Sequence, residues 1–184
     1  KVDAVVSGDD YGSRLAADQQ AVWVPFDRTR VPISATAFKA NAWTHWDWLV
    51  PAARTDLLRR VLIVGAESTG KSTLAARLAA SSQPPTVVIP EYAEHWLRRH
   101  PETAVEHLPW DLFLSGQSAS RTAWAARANR WVMEDSNALT TAVWASLSGR
   151  PDVVERAMAS AASSPPHHVL LSLSDGVPWV ADFH

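Results

Sequence analysis

From residue 60 onward, apolar runs alternate with amphipathic stretches. The run VLIV (61–64) leads into GAESTGKS, and a helix is predicted over 71–80, with Leu74 and Leu78 four apart on one face. TVVIP (86–90), bounded by prolines, predicts a second strand, and a longer helical stretch follows within 109–130. WVMED (131–135) predicts a third strand, ahead of a helix from Ala138 to Ser148 that Gly149 is placed to terminate. A helix over 152–162 leads to a fourth strand, VLLSL (169–173). The strands are continuously apolar, as in a parallel sheet covered on both faces by crossover helices. The pattern predicts a doubly wound α/β domain.

Before residue 60 the signal is weaker. It gives a short strand AVV (4–6), a turn SGDDYG, a helix over 14–20, a strand AVWVPF (21–26) and a polar link DRTR. In ISATAFKANAWTHWDWL, Ser34 or Thr36 can cap a helix. SSQPP (81–85) and SSPPHH (163–168) are loops, and there is no internal repeat.

Composition narrows the chemistry. The 184 residues suffice for one full domain, or one domain and part of another. Lys and Arg number 17 against 19 Asp and Glu, so there is no basic footprint for nucleic acid. The absence of cysteine excludes disulfides, zinc ribbons and thiol nucleophiles. No apolar stretch reaches the roughly 18 residues of a membrane span, and KVDAVVSGDDYG has no apolar signal core. A soluble cytoplasmic protein is expected. Of ten tryptophans, most suit packing, which leaves one or two that could stack on an aromatic ligand. His95, His100 and His107 lack an i, i+4 carboxylate partner, and His167 and His168 lie in a proline loop, so no metal site is expected from them.

GAESTGKS fits the phosphate-loop pattern G-x-x-x-x-G-K-[ST] at Gly65, Gly70, Lys71 and Ser72. The glycines let successive N–H groups turn inward, Lys71 neutralises β/γ-phosphate charge, and Ser72 can ligate Mg²⁺. A chance match in a chain of this size is on the order of 1%, and strand, loop and helix occur in the required order. ATP binding across Gly65, Ala66, Glu67, Ser68, Thr69, Gly70, Lys71, Ser72 and Thr73 is expected. Phosphoryl transfer also needs carboxylates at the carboxyl ends of neighbouring strands. Glu91 and Asp135 stand there, one to hold Mg²⁺ and the other to accept a hydroxyl proton, while Glu134 beside Asp135 is an incidental acid.

GAESTGKSTLAARLA, EYAEHW, GQSASRTAWAARANRWVMEDSNALTT and VPWVAD resemble, in order, the kinase half of the bifunctional nicotinamide-nucleotide adenylyltransferase / ribosylnicotinamide kinase family, the NadR-type proteins. Upstream, SGDDYG, FDRTR and PISATAFKAN resemble the last part of that family's adenylyltransferase domain. The resemblance implies a partial Rossmann-like nucleotidyltransferase segment over 1–58 and a P-loop kinase domain over 59–184. It implies ATP and Mg²⁺ as cofactors, with Ser72 and Asp135 at the metal, and nicotinamide riboside as the acceptor. Lys71, Asp135 and Glu91 would be catalytic, and Glu91, Tyr92, Gln117, Asp135 and Asn137 would bind substrate. Either Glu91 or Asp135 could be the base. Ser34, Thr36 and Lys39 would be phosphate contacts left in the first segment. A homo-oligomer is compatible with all of this.

The chain departs from the family pattern at three places. Glu94 stands where a base is usual, and Asn137 replaces an Asp. After VPWVAD the family continues into an arginine-bearing lid, a helix and a last strand, whereas this chain reads Phe183-His184, so lid and last strand are expected to be missing. The alternatives are an ATP-binding regulatory or interaction module, an impaired fragment, adenylyl transfer by the first segment within a longer protein, and a generic P-loop hydrolase.

Overall fold

The computed structural model describes residues 2–176 and Pro178. Apart from Pro178, the VPWVAD segment and the two residues after it lie outside the described residues. The chain forms two compact units, Lys1–Leu49 and Val50–His184. The sequence boundary at 58/59 therefore lies inside the second unit.

In the first unit, β1 (Ala4–Ser7) leads through α1 (Tyr11–Asp18) to β2 (Val22–Pro25), and the two strands pair in parallel with Ala4 opposite Val22. The helix starts three residues before the predicted 14–20 span. Gly12 permits this, because a Cβ there would lie 1.7 Å from Ser7 Oγ. Between the two candidate caps of α2 (Ala35–Ala40), Ser34 takes the role: its hydroxyl accepts from the Ala37 N–H at 3.0 Å.

The second unit opens with α3 (Pro51–Thr55), with proline in its first turn. There follow β3 (Arg59–Gly65), α4 (Lys71–Ser81), β4 (Val88–Ile89), α5 (Tyr92–Leu97) and α6 (Trp110–Ala125). Then come β5 (Trp131–Asp135), α7 (Ala138–Leu147), α8 (Pro151–Ser163) and β6 (His168–Ser172). The sheet runs β4-β5-β3-β6 with every pairing parallel. This is the α/β architecture expected from the alternation of strands and helices.

Side-chain alternation sorts the two faces of the sheet. Val61, Ile63 and Met133 pack with Ala75 and Ala79 of α4, where the small alanines let helix and sheet approach, and Leu74 and Leu78 close the edges. Burying a side chain such as Ile63 completely contributes about 1.5–3 kcal/mol. Around α6, Trp110 and Phe113 cluster with Ala145 of α7 and Val153 of α8.

Two strands of this sheet also differ from expectation. The strand predicted over 86–90 shrinks to Val88–Ile89. Thr86 uses its side chain instead of the ladder, its hydroxyl donating to the Trp131 carbonyl and accepting from the Asn129 N–H, and Pro90 has no N–H to donate. Among the described residues β6 is the outer strand and is not covered on both faces: Val169 is 55% and Leu171 67% exposed.

Candidate functional site

The loop after β3 is pinned to β6 at its base. A Cβ on Gly65 would lie 2.3 Å from the Ser172 carbonyl oxygen, so only glycine lets the two strands approach there. The Ser172 hydroxyl donates to the Thr69 carbonyl at 2.7 Å, and the buried Thr69 hydroxyl donates to the Ala66 carbonyl at 2.9 Å. Ser68 and Gly70 both take left-handed φ, 56° and 78°, which curls the backbone before α4 begins at Lys71. Lys71 Nζ donates to the Ala66 carbonyl at 2.6 Å, so the ammonium lies folded over the loop. Curled backbone, a helix N-terminus and an ammonium together make an anion cradle.

Two strand ends supply the carboxylates. Asp135 ends β5 opposite Ile63 of β3, is buried, and is hydrogen-bonded to Ser72. Burial raises its carboxyl above the usual range, and the Ser72 hydroxyl and Lys71 pull the other way. Its Oδ1 has no hydrogen-bond partner. The next residue, Ser136, is buried with φ at 84°, a conformation costly for a residue with a Cβ. Asn137 caps α7 by accepting from the Leu139 N–H at 2.8 Å, yet its buried Nδ2 has no partner. An orphaned acceptor and an orphaned donor two residues apart leave hydrogen-bonding capacity for a polar ligand.

Glu91 follows β4 and is half-buried. Burial, then the charges of Asp135 and Glu94, push its carboxyl up to about 7, with Lys71 opposing and Glu67 adding to the rise. Thus Lys71, Glu67, Glu94 and Asp135 all lie within electrostatic reach of Glu91, and Lys71 and Glu94 also within reach of Asp135, at the carboxyl end of the sheet. Glu94, where the resemblance leads one to expect a base, pairs with Arg98 at 2.5 Å.

The other expected contacts are placed as follows. Tyr92 begins α5, and its ring rests against Gly116 of α6. Gln117 is buried, and its amide is bonded to backbone: Oε1 accepts from the Tyr92 N–H at 2.8 Å, and Nε2 donates to the carbonyls of Pro90 and Ser136. Ser34, Thr36 and Lys39 are exposed in the first unit, where the Ser34 hydroxyl is occupied by its cap bond. Among the described residues no three His, Cys, Asp or Glu side chains form a metal-binding group, and no helix is long and apolar enough to cross a membrane.

Sequence reasoning passed over three participants. Ser172 locks the loop from β6, Gly116 seats Tyr92, and Glu134 faces away from Asp135 to meet Arg60 at 3.2 Å and Arg121 at 3.4 Å. Only the last had a signal, since adjacent strand residues point to opposite faces.

A divalent cation fits this donor set. Ser72 Oγ and the unpartnered Asp135 Oδ1 are hard oxygen donors beside an anion cradle, the chemistry that Mg²⁺ favours.

Known proteins resemble this chain in sequence and in fold. Two trifunctional NAD biosynthesis/regulator proteins NadR, from Salmonella typhimurium and Escherichia coli K12, are each 26% identical over 167 residues, covering 89% of this chain and 40% of the relative. The chain thus spans about two fifths of these curated relatives. A crystal structure of a NadR protein in complex with NR matches with TM-score 0.72 at 22% identity, covering 91% of this chain and 49% of that one. A second, in complex with NAD and AMP-PNP, gives 0.71 at 20% identity and covers 91% and 51%. These likenesses support the parallel α/β fold. A family model described as an AAA domain matches residues 60–183, and because that match takes in more than half of the chain, the chain belongs to the AAA domain family.

Proposed function

We propose that this chain phosphorylates nicotinamide riboside, moving the γ-phosphoryl group of ATP to the ribose 5′-hydroxyl to give nicotinamide mononucleotide in NAD biosynthesis. The observation that carries this is the meeting of Lys71 and Ser72 with two carboxyls, Glu91 and Asp135, one of them raised to about 7. The relatives' role in NAD biosynthesis, and NR and AMP-PNP in the structural neighbours, support it.

In this mechanism the loop N–H groups from Gly65 to Thr73 take the phosphates, and Lys71 exchanges its Ala66 carbonyl for phosphate oxygens. Ser72 and Asp135 would hold Mg²⁺, which neutralises phosphate charge when bound. Glu91 accepts the proton of the 5′-hydroxyl as its oxygen bonds to phosphorus and the bond to ADP breaks; a carboxylate with pKa about 7 suits that task at neutral pH. Asp135 is the alternative base if the metal is held otherwise. Tyr92 and Asn137 flank the acceptor, and the unpartnered Asn137 Nδ2 offers it a donor.

The test is an incubation with Mg-ATP and nicotinamide riboside. ADP release that requires riboside, and yields its monophosphate, supports the kinase. Riboside-independent release would make it a hydrolase, and nucleotide binding without turnover would make it a binding module.

A further inference from the structure

We propose that Gln117, with Gly116 beside it, is a positioning residue that sets the carboxyl of Glu91 against the end of β5 and does not itself recognise the acceptor. This rests on the phosphoryl-transfer role given above to Glu91.

The geometry is specific to Glu91. Gln117 Oε1 accepts from the Tyr92 N–H at 2.8 Å, and Nε2 donates to the Pro90 carbonyl at 3.3 Å. Those groups belong to the two peptide planes on either side of the Glu91 Cα. One side-chain amide therefore fixes both planes, leaving only the side-chain torsions of Glu91 to vary. The second Nε2 hydrogen goes to the Ser136 carbonyl at 3.4 Å, in the turn just past Asp135 where φ is 84°. A single amide thus links the exits of β4 and β5, the two strands that bring in the carboxyls.

The amide has two donors and two acceptor sites, and backbone fills three of them. Gln117 is only 6% exposed, and turning it toward a ligand would leave the half-buried Tyr92 N–H without this acceptor. Gly116 completes the seat. A Cβ there would stand 2.3 Å from Tyr92 Cε1 and 2.4 Å from Cζ, so the ring lies directly on the α6 backbone and fixes the start of α5.

Two substitutions test this. Gln117→Met keeps length and apolar volume while removing all three bonds. Gly116→Ala displaces the Tyr92 ring yet favours the helix locally, which covers the case in which Gln117→Met does not fold. In both, kcat for riboside phosphorylation should fall about 10- to 100-fold, as expected for a reacting group misplaced by an ångström. In Gln117→Met, KM for ATP and for riboside should change by less than about twofold, whereas Gly116→Ala, which moves the Tyr92 ring beside the acceptor, should hold only KM for ATP within that range. In Gln117→Met the Tyr92 amide should exchange with solvent faster, while the Leu74 amide, inside α4, keeps its protection.

A raised riboside KM with retained kcat would make Gln117 a substrate contact and overturn the proposal, as would unchanged protection of the Tyr92 amide. If the unsubstituted protein does not phosphorylate riboside at all, the kinase assignment fails by itself. Tyr92 amide exchange then still decides whether Gln117 fixes the Glu91 backbone.

Discussion

At the scale of single residues, Glu91 carries two opposed consequences of one environment. Its carboxyl is raised to about 7 by burial and by Asp135 and Glu94, so as a base it should be ionised only above that pH. Turnover should rise as pH passes through about 7 and level off above it. Glu91→Gln should flatten that profile at a rate lower by about 10²–10⁴, which pH-dependent initial rates would show. Stability should move the other way. Between the unfolded value of 4.5 and the folded value near 7, the folded state binds the extra proton, so stability is full below 4.5 and is lost as pH climbs through this window. Glu91→Gln at about pH 8 should therefore gain up to about 2–3 kcal/mol while losing activity, a shift that thermal unfolding without nucleotide would read. Lys71 has a single consequence. Lys71→Ala should cost about 100-fold or more in turnover with the fold retained, and full activity in that variant would remove Lys71 from the mechanism.

At the scale of elements, β5 is shared between two tasks through its alternation. Asp135 points to the phosphate loop, while Glu134, 1% exposed, meets Arg60 of β3 and Arg121 of α6 on the other face. Arg60 is tied on through its guanidinium to the hydroxyl and carbonyl of Ser164, after α8. Neither Glu134 oxygen forms an aligned hydrogen bond, and burial raises its carboxyl although the charges of Arg60 and Arg121 offset part of that cost. Glu134→Ala should strand two guanidiniums and cost about 3–5 kcal/mol, lowering Tm by roughly 10 °C. Replacing all three charges together by Leu and Met should recover most of it, and a neutral Glu134→Ala would sink this account. Strands and long helices of this unit were legible because their apolar spacing is dictated by the faces they cover: α4, α7 and β5 fall within a residue of expectation. The six-residue α5 was not, because Tyr92–Leu97 is too short for a helical period to show and is held by packing on α6. The shrinkage of β4 was hidden for another reason. Apolarity cannot reveal that the Thr86 hydroxyl would take over a ladder bond from the backbone.

At the scale of the whole molecule, the candidate site was readable where chemistry is local and unreadable where it is assembled. Gly65 to Thr73 is one contiguous segment whose proposed role follows from backbone freedom and a single ammonium, and Glu91 and Asp135 were expected beside it because strand ends face the same crevice. Ser172 and Gln117 could not be given their roles from sequence, since each acts through a backbone group distant in the chain, 103 residues away for Ser172 and Thr69. That assembly predicts how the molecule should answer to ligand. The loop is already curled, with its lysine folded onto Ala66, so binding need only exchange a carbonyl for phosphate rather than order a disordered segment. Mg-ATP at about 100 times its dissociation constant should then stabilise the folded chain by about 2.7 kcal/mol, seen as a raised Tm. Chelating Mg²⁺ should diminish the shift if Ser72 and Asp135 hold the cation. Asp135→Asn should do likewise while leaving the metal-independent part of the shift intact, because the loop N–H groups and Lys71 still meet the phosphates. An equal shift with and without Mg²⁺ in the unsubstituted protein would show that the orphaned Asp135 oxygen serves another ligand.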